Sequence, residues 1–320
     1  MFKWKKQGII FSPNGKYPWM YSHAQCPFAL DMGKFIRVYF STRENYDEQQ
    51  LSRSYGGFVD LDKTNIKNVI NISQEPVMDL GGIGEFDEFG SMPNSIIKHK
   101  DEYYLYYCGW SRGVSTPYSW EIGFAKSKDA VKFHKVGKGP LIGPTLDEPY
   151  LHACPVVYRI SETNWHMYYL SGIKWLQGDK KMESQYMLMH ATSQNGIEWN
   201  RNANCIIPSK VEDESQTSAA IICLDKKYHM FFSYRYGLDF RHKKDRGYHI
   251  GYAWSTDLIS WIRDDAEAGI DISDSGWDSE MVAYPHVTKI NGKYIMLYCG
   301  NQFGRDGFGY AELEVNYIHK

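Results

Sequence analysis

The sequence repeats one pattern five times, and this repetition restricts the folds that the chain can adopt. In each copy an acidic or polar loop leads into an apolar strand, a short turn follows, and an aromatic strand returns. The pattern is clearest in residues 276–300, where Asn291-Gly292 forms the turn. An Asn-Gly turn between two apolar segments is a strong signal for a β-hairpin. The sequence therefore predicts five antiparallel hairpins of one kind.

Three copies extend beyond the hairpin into a third strand that ends in Ser-x-Asp or Ser-x-Asn, which is typical turn chemistry. An aromatic residue then starts a fourth, outer strand. We therefore expect each copy to form a four-stranded antiparallel meander, with Trp199 and Trp261 in the core. The other four hairpins begin at Ser22, Phe86, Asp147 and Glu212, a spacing of roughly 60 residues that exceeds the usual period of propeller blades.

The fifth copy ends after its third strand, so its fourth strand is expected at the other end of the chain. Residues 4–13 resemble the outer-strand segment 133–144. We expect residues 1–13 to complete the last blade, which removes the free edges of a linear array. The predicted fold is all-β: residues 1–320 form a single five-bladed β-propeller of four-stranded antiparallel blades, closed by the N-terminal strand. No helix with credible caps is expected.

Composition limits the partners and the compartment. A hydrophobic fraction of 43% is enough for a buried core, and an aromatic fraction of 16% suits sheets. A net charge of −2 gives no electrostatic reason to expect nucleic acid or an anionic membrane as a partner. No segment is long enough to span a bilayer. The six cysteines form no CxxC pair, which favours free thiols and a cytoplasmic location. The oligomeric state stays open.

The meander topology also predicts which face carries the site. Loops before the first strand and between the second and third strands share one face. These loops are long and rich in Trp, Arg and acidic residues, and functional residues concentrate in loops held by a rigid scaffold. We therefore expect the site at the centre of this face. The loops between second and third strands are residues 43–54, 110–120, 175–185, 236–247 and 301–307.

Carboxylates precede several of the inner strands and are candidates for acid–base chemistry. Two acids on opposite sides of a glycosidic bond, with aromatic faces beside the sugar ring, are what sugar processing requires. Crowded carboxylates raise one another's pKa, which keeps one of them protonated as a general acid. Our catalytic candidates are Asp87 and Glu280, followed by Glu148. We expect the acidic run at residues 212–214 to be a solvated loop.

Other polar and aromatic residues on the same face are candidates for substrate binding. For His23 and His152 a hydrogen-bonded structural role is favoured over metal ligation. Arg43 and Arg235 either clamp a carboxylate or phosphate of the ligand or pair with the acids. We predict no cofactor and no metal site, although an acid-lined axis is compatible with Ca²⁺. The full set of binding candidates is His23, Gln25, Arg43, Trp110, His152, Trp175, Arg235, Asp278 and Asn301.

The Tyr-rich second strands and the Ile-Gly-x-Ala-x-Ser-x-Asp…Trp endings resemble the five-bladed propeller glycosidases of glycoside hydrolase families 43, 32 and 130. The chain also resembles uncharacterised glycosylase-like proteins of bacterial surface-polysaccharide gene clusters, through residues 22–25, 86–90, 276–285 and 300–311. Families 43 and 32 carry their acids just before the Pro of inner strands. Here Cys26, Met92, Cys154 and Tyr284 precede those prolines, so the acids are expected from earlier in the loops.

Three functions remain open from the sequence, all with a carbohydrate as the partner. The first is a glycoside hydrolase or transglycosylase that uses paired carboxylates in an axial pocket. The second is a phosphorylase, which needs one acid and a basic phosphate site, for which Arg43, Arg112 and Arg235 are suited. The third is a sugar-binding propeller without catalysis, expected if each acid is paired with Arg or Lys and only aromatics and amides face the cavity.

Overall fold

The computed structural model describes residues 1–46 and 52–314, and most of its regular structure is β-strand. Helical structure in this part of the chain is limited to the short segment α1 (Asn301–Gly304) and two 3₁₀ turns, Lys244–Arg246 and Asp265–Glu267. None of these is long enough to cross a membrane. The strands are β1 (Trp4–Phe11), β2 (Ser22–Asp31), β3 (Phe35–Arg43), β4 (Ser54–Asp62), β5 (Asn65–Ile72), β6 (Gly90–His99), β7 (Glu102–Arg112), β8 (Tyr118–Ser127), β9 (His134–Lys135), β10 (His152–Ser161), β11 (Asn164–Gln177), β12 (Met182–Ser193), β13 (Asn200–Arg201), β14 (Ser215–Leu224), β15 (Lys227–Arg235), β16 (His249–Ser255), β17 (Ile262–Arg263), β18 (Ala283–Ile290), β19 (Lys293–Cys299) and β20 (Phe308–Leu313).

Consecutive strands pair into antiparallel meanders, as the sequence predicts. β10–β13 form one four-stranded sheet and β14–β17 form another. The meanders β2–β5 and β6–β9 belong to one eight-stranded sheet, in which a parallel bridge between Ser54 and Gly90 joins them. In the remaining sheet β1 pairs antiparallel with β20, so that Trp4 lies opposite Leu313. The pairing predicted for the N-terminal strand is confirmed.

The Ser-x-Asp and Ser-x-Asn sequences form the turns that lead to the outer strands. In the second meander, Asp129 Oδ1 accepts hydrogen bonds from Ser127 Oγ and from the backbone N–H of Val131, both at 2.8 Å. The same arrangement recurs at Asn195 and Asp257. Such side chains stabilise turns because they satisfy backbone donors locally. The outer strands that follow, β9, β13 and β17, are only two residues long.

Apolar clusters fill the space between neighbouring sheets. One cluster joins the last sheet to the first, and within it the rings of Phe11 and Phe40 lie 5.1 Å apart. Other clusters join β2–β5 to β6–β9, β6–β9 to β10–β13, β10–β13 to β14–β17, and β14–β17 to the sheet of β1 and β18–β20. Trp261 belongs to one of these cores and Trp199 packs against another, as expected. Each sheet therefore packs against two others.

The inner strands are interrupted by bulges next to the cavity described below. The pairing register shifts between Gln25 and Phe28 in β2 and between Ala153 and Val156 in β10, and likewise in β14 and β18. One residue of each bulge has left-handed backbone, which costs on the order of 1 kcal/mol or more for a residue with a side chain. These residues are Cys26 (φ 51°), Cys154 (φ 49°), Ser218 (φ 54°) and Tyr284 (φ 57°).

Candidate functional site

A cavity of about 300 Å³ lies where the inner strands and the long loops meet. Each of the five loops between second and third strands contributes at least one lining residue, so the cavity lies among the loops that the sequence selected. Residues 47–51 of the first loop lie outside the described residues. The lining residues include Gln25, Cys26, Arg43, Met92, Trp110, Tyr118, Trp120, Cys154, Lys181, Tyr186, Thr217, Arg235, Phe240, Arg241, Tyr248, Tyr284 and Phe303.

Positive charge dominates the polar part of this cavity. Burial lowers the pKa of Arg43, and the charge of Arg241 lowers it further. Burial likewise lowers the pKa of Lys181, together with the charges of Arg241 and Arg43. Of these three cations, Arg241 contacts a carboxylate, with its Nε 3.2 Å from Glu183 Oε1. Arg43 instead donates to the amide oxygen of Gln25 at 3.2 Å. Among the described residues that line the cavity, none carries a carboxylate.

A fourth cation, Arg235, is built into the cavity wall. It is 2% exposed, and its guanidinium lies 3.6 Å from the centre of the Phe240 ring. It donates to the backbone oxygens of Tyr236 and Ser184 and to the Tyr186 hydroxyl, at 2.8, 3.0 and 3.2 Å. Arg235 therefore fixes the wall through neutral acceptors, and no carboxylate among the described residues forms an ion pair with it.

Tyrosine hydroxyls and aromatic faces supply the rest of the lining. Burial raises the pKa of Tyr118 to about 12 and raises those of Tyr248 and Tyr284 as well. These hydroxyls therefore remain protonated at neutral pH and can donate hydrogen bonds. The rings of Tyr118 and Trp120 stack with centroids 4.4 Å apart. Aromatic surfaces of this kind pack well against the C–H faces of a sugar.

The first catalytic candidate, Asp87, does not line the cavity. It is 1% exposed, and Lys135 Nζ of the outer strand β9 lies 2.6 Å from its Oδ2. The Tyr107 hydroxyl of β7 donates to the same oxygen at 2.8 Å. The carboxylate thus connects the loop before β6 to the second and outer strands of its own meander. Its contacts are those of a structural ion pair.

Glu148 has an equivalent environment in the next meander. The Tyr169 hydroxyl lies 3.0 Å from both carboxylate oxygens, and His152 Nε2 and Arg201 Nε lie at 3.4 and 3.5 Å. Burial raises the pKa of Glu148, but the hydrogen bonds and the Arg201 charge outweigh this effect, so that the pKa is lowered overall. His152, a predicted binding residue, is fully buried in this network.

The same combination of acid, tyrosine and outer-strand cation recurs in the last sheet. Asp278 accepts from the Tyr298 hydroxyl at 2.9 Å, and Lys6 Nζ of β1 lies 2.7 Å away. In the sheet β14–β17, Glu214 is fully buried and lies 2.6 Å from Arg263 Nη1. The prediction of a solvated loop at residues 212–214 is therefore wrong for Glu214, because an arginine on the outer strand draws it into the sheet.

The remaining candidates lie beside the cavity without lining it. Glu280 is exposed, and its backbone N–H donates to Asn301 Oδ1 at 2.7 Å. Asn301 therefore holds the loop before β18. His23 bonds to Ser22 Oγ at 2.9 Å, and burial, with the charges of Arg43 and Arg305, lowers its pKa to about 2. Trp175 packs behind Tyr118, with ring centroids 5.4 Å apart.

The structure thus brings together four of the predicted binding residues, namely Gln25, Arg43, Trp110 and Arg235. It separates the three predicted acids, which do not meet in the cavity. Sequence reasoning missed Lys181 and Arg241, although both lie in loops that it selected. It also missed the residues before the inner-strand prolines, where Cys26, Met92, Cys154 and Tyr284 line the cavity. No group of three or more His, Cys, Asp or Glu in residues 1–46 and 52–314 is placed to hold a metal ion.

Sequence comparison identifies relatives of the whole chain. Uncharacterized protein Rv1502 of Mycobacterium tuberculosis strain H37Rv is 32% identical over 313 residues, which cover 97% of this chain and 99% of the relative. Uncharacterized protein MT1551 of strain CDC 1551 matches equally. The chain belongs to their family. No protein-family model matches the sequence.

Solved structures extend the likeness to glycoside hydrolase-like propellers. The protein BT0996, in its complex with RGII, superposes with a TM-score of 0.73 at 16% identity, covering 97% of this chain and 90% of that one. A structure of the family 130 mannoside phosphorylases and β-1,2-mannoside hydrolases has a TM-score of 0.71 at 14% identity, with coverages of 98% and 94%. A thermostable family-43 glycoside hydrolase has a TM-score of 0.64 at 14% identity, with coverages of 92% and 88%. The resemblance predicted from the sequence is confirmed at the level of fold.

Proposed function

We propose that the cavity binds a carbohydrate that carries negative charge. The observation behind this proposal is the cluster of Arg43, Lys181 and Arg241 in a cavity whose described lining contains no carboxylate. Glu183 compensates one of these charges through Arg241, and the others repel each other. A carboxylate or phosphate of the ligand would relieve this repulsion and accept charge-assisted hydrogen bonds.

The aromatic lining and the fold support a sugar as the remainder of the ligand. Trp110, Tyr118 and Trp120 offer flat apolar surfaces beside the cations, which suits a ring with C–H faces and hydroxyl groups. BT0996, which shares the fold, forms a complex with RGII. An anionic sugar, either a uronic acid or a sugar phosphate, combines both requirements.

We also propose that the sheets form a closed ring of five blades around this cavity. The eight-stranded sheet consists of two meanders joined by the bridge between Ser54 and Gly90, so the meanders number five. Apolar cores between neighbouring meanders, including the one between the last sheet and the first, support a ring. The pairing of β1 with β20 supports its closure by the N-terminal strand.

Catalysis is the second question that the cavity raises. Hydrolysis by paired carboxylates, the first interpretation of the sequence, would require acids other than Asp87, Glu148 and Glu280. Phosphorolysis is the second candidate, because the cation cluster suits inorganic phosphate and family 130 is among the fold neighbours. The buried pairing of Asp87, Glu148, Glu214 and Asp278 with Lys or Arg favours binding without hydrolysis, the third alternative from the sequence.

The test is calorimetric titration with matched neutral, uronic and phosphorylated oligosaccharides, and with inorganic phosphate, at two salt concentrations. The charged sugars should bind in preference to the neutral ones, and their affinity should fall with salt. Arg43→Gln should weaken binding about 30-fold, since a hydrogen bond to a charged group contributes about 2 kcal/mol. Arg159→Gln is the matched control, because Arg159 packs on Trp165, outside the cavity lining.

Turnover is measured on the same sugars with and without phosphate. Release of a sugar phosphate only when phosphate is present would establish phosphorolysis, and turnover in its absence would establish hydrolysis. Equal affinity for neutral and charged sugars, unchanged in Arg43→Gln, would refute the proposed anionic ligand.

A further inference from the structure

Two tyrosine hydroxyls on the wall of the cavity form a hydrogen bond to each other. Tyr186 and Tyr248 both line the cavity, and a hydrogen bond joins their hydroxyl oxygens. Tyr186 lies in β12, whereas Tyr248 directly precedes β16, so the bond connects two neighbouring sheets. The side chains are 4% and 2% exposed. At this burial the hydroxyls depend on fixed partners for their hydrogen bonds.

The pair has one hydroxyl proton more than its mutual bond uses. Each phenol carries one proton, and one of the two protons forms the bond between the oxygens. Among the described residues, neither hydroxyl has a further acceptor for the second proton. Since both side chains line the cavity, this proton is left for an acceptor inside it.

Arg235 determines which tyrosine provides this free proton. Its Nη2 donates to the Tyr186 oxygen at 3.2 Å, and a guanidinium cannot accept in return. If Tyr186 then donates to Tyr248, the bonds run in one direction from Arg235 to Tyr248. The opposite arrangement would require the Tyr186 oxygen to accept two hydrogen bonds in place of one. Hydrogen bonds that run in one direction strengthen one another, so the chain ends with the Tyr248 hydroxyl as the free donor.

Tyr248 lies beside the cations of the cavity. Its ring centroid is 6.0 Å from that of Phe303, and the Arg241 guanidinium lies 4.9 Å from the centre of the same Phe303 ring. A ligand group that Arg241 binds is therefore close to Tyr248. Burial raises the pKa of Tyr248, so that its hydroxyl keeps its proton at neutral pH and acts as a donor.

We propose that Tyr248 is a specificity-determining residue of the cavity, whose hydroxyl donates to the anionic group of the ligand. Arg235 and Tyr186 are positioning residues, because they fix the direction of this donor and act through it. The inference rests on the proposed function, since it concerns the same ligand. A carboxylate or phosphate oxygen accepts without donating, whereas a sugar hydroxyl brings a proton of its own. The free donor therefore adds to the preference for charged sugars that the cations create.

The direction of the chain is tested without a ligand, by NMR of protein isotopically labelled at the tyrosine Cζ, in mixed light and heavy water. A slowly exchanging hydroxyl gives separate signals for O–H and O–D, and a rapidly exchanging one gives an averaged signal. The Tyr186 proton should exchange slowly because it is held by Tyr248, and the Tyr248 proton should exchange quickly because it faces the cavity. Tyr186→Phe and Tyr248→Phe assign the signals. A Tyr248 proton that exchanged no faster than that of Tyr186 would overturn the proposal.

The contact with the ligand is tested by calorimetric titration with inorganic phosphate and with matched charged and neutral sugars. Tyr248→Phe should bind phosphate and the charged sugars about 20-fold more weakly, since it loses a hydrogen bond to a charged group, and should bind neutral sugars as the wild type does. Tyr168→Phe is the matched control and should keep the wild-type affinity. Its buried hydroxyl donates to the backbone oxygen of Leu258 at 2.7 Å, outside the cavity lining.

The outcomes separate this inference from the proposed function. If the wild type prefers charged sugars and Tyr248→Phe binds them equally well, the inference is overturned and the proposed function stands. An equal loss of affinity for neutral and charged sugars in Tyr248→Phe would also overturn it, because the donor would then act on a sugar oxygen. A wild type without preference for charged sugars would refute the proposed function and, with it, the assignment of the acceptor.

Discussion

The substitution Asp87→Asn tests whether this carboxylate stabilises the fold or performs chemistry. The carboxylate is 1% exposed and lies 2.6 Å from Lys135 Nζ, whose side chain is 18% exposed. Removing one partner of a buried ion pair costs about 3–5 kcal/mol, because the other charge remains desolvated. Since the charged Lys135 Nζ is itself shielded from solvent, we expect a loss of at least about 3 kcal/mol. At the lower end of about 2 °C per kcal/mol for large domains, Tm should fall by about 6 °C.

Urea denaturation followed by tryptophan fluorescence measures this loss, together with the Lys135→Met single variant and the double variant. The double variant should cost about 3 kcal/mol rather than the sum of about 6, because neither charge is left alone. Affinity for the cavity ligand should stay unchanged, since neither residue lines the cavity. A stability of Asp87→Asn within about 0.5 kcal/mol of the wild type would refute the structural role. Lost turnover without lost stability would restore the catalytic one.

Three further predictions follow from buried groups. The pKa of Glu148 is lowered from 4.5, so ionised Glu148 stabilises the fold above about pH 4.5, and this stabilisation is lost as pH falls through the lowered pKa. The urea midpoint of Glu148→Gln should therefore change less with pH in this range than that of the wild type. The pKa values of His23 and His190 are lowered from 6.5 to about 2 and about 4. Below pH 6.5 the unfolded state therefore binds protons that the folded state does not, and each histidine should lower the stability by about 1 kcal/mol for every pH unit of acidification. His190→Gln should make the stability less dependent on pH in this range. In Gly123→Ala the new Cβ would lie 2.1 Å from the ring of Tyr107, so we expect a loss of about 2 kcal/mol by thermal denaturation; a Tm within about 1 °C of the wild type would show that the ring moves without cost.

The hairpins and their turns could be predicted because their signals are local. The pattern of Ser-x-Asp with a following aromatic residue encodes both the turn and the start of the outer strand, and the hydrogen bonds at Asp129 show how. The pairing of β1 with β20 was also predictable, since residues 4–13 carry the pattern of an outer strand that the last copy lacks. Both predictions used residue patterns that each strand or turn carries in its own sequence.

The role of the acids was not predictable in the same way. Whether Asp87 faces the cavity or the sheet depends on Lys135, which lies on a two-residue strand with no periodicity to show its direction. The partner of Asp278 is Lys6, at the other end of the chain. The cations of the cavity were missed for a different reason. The positions of the loops that carry Lys181 and Arg241 were predicted, but the directions of these side chains were not.

The pairing of β1 with β20 has a consequence for the order of events during synthesis. Among the described strands β1 is synthesised first, and its partner strand β20 ends at Leu313. Until that strand emerges, β1 has no partner strand opposite Trp4, and Lys6 has no ion-pair partner until Asp278 is made. The nascent chain must therefore keep an unpaired, partly apolar strand from associating with other chains until β20 has been made. Its first sheet to be started is the last to be finished.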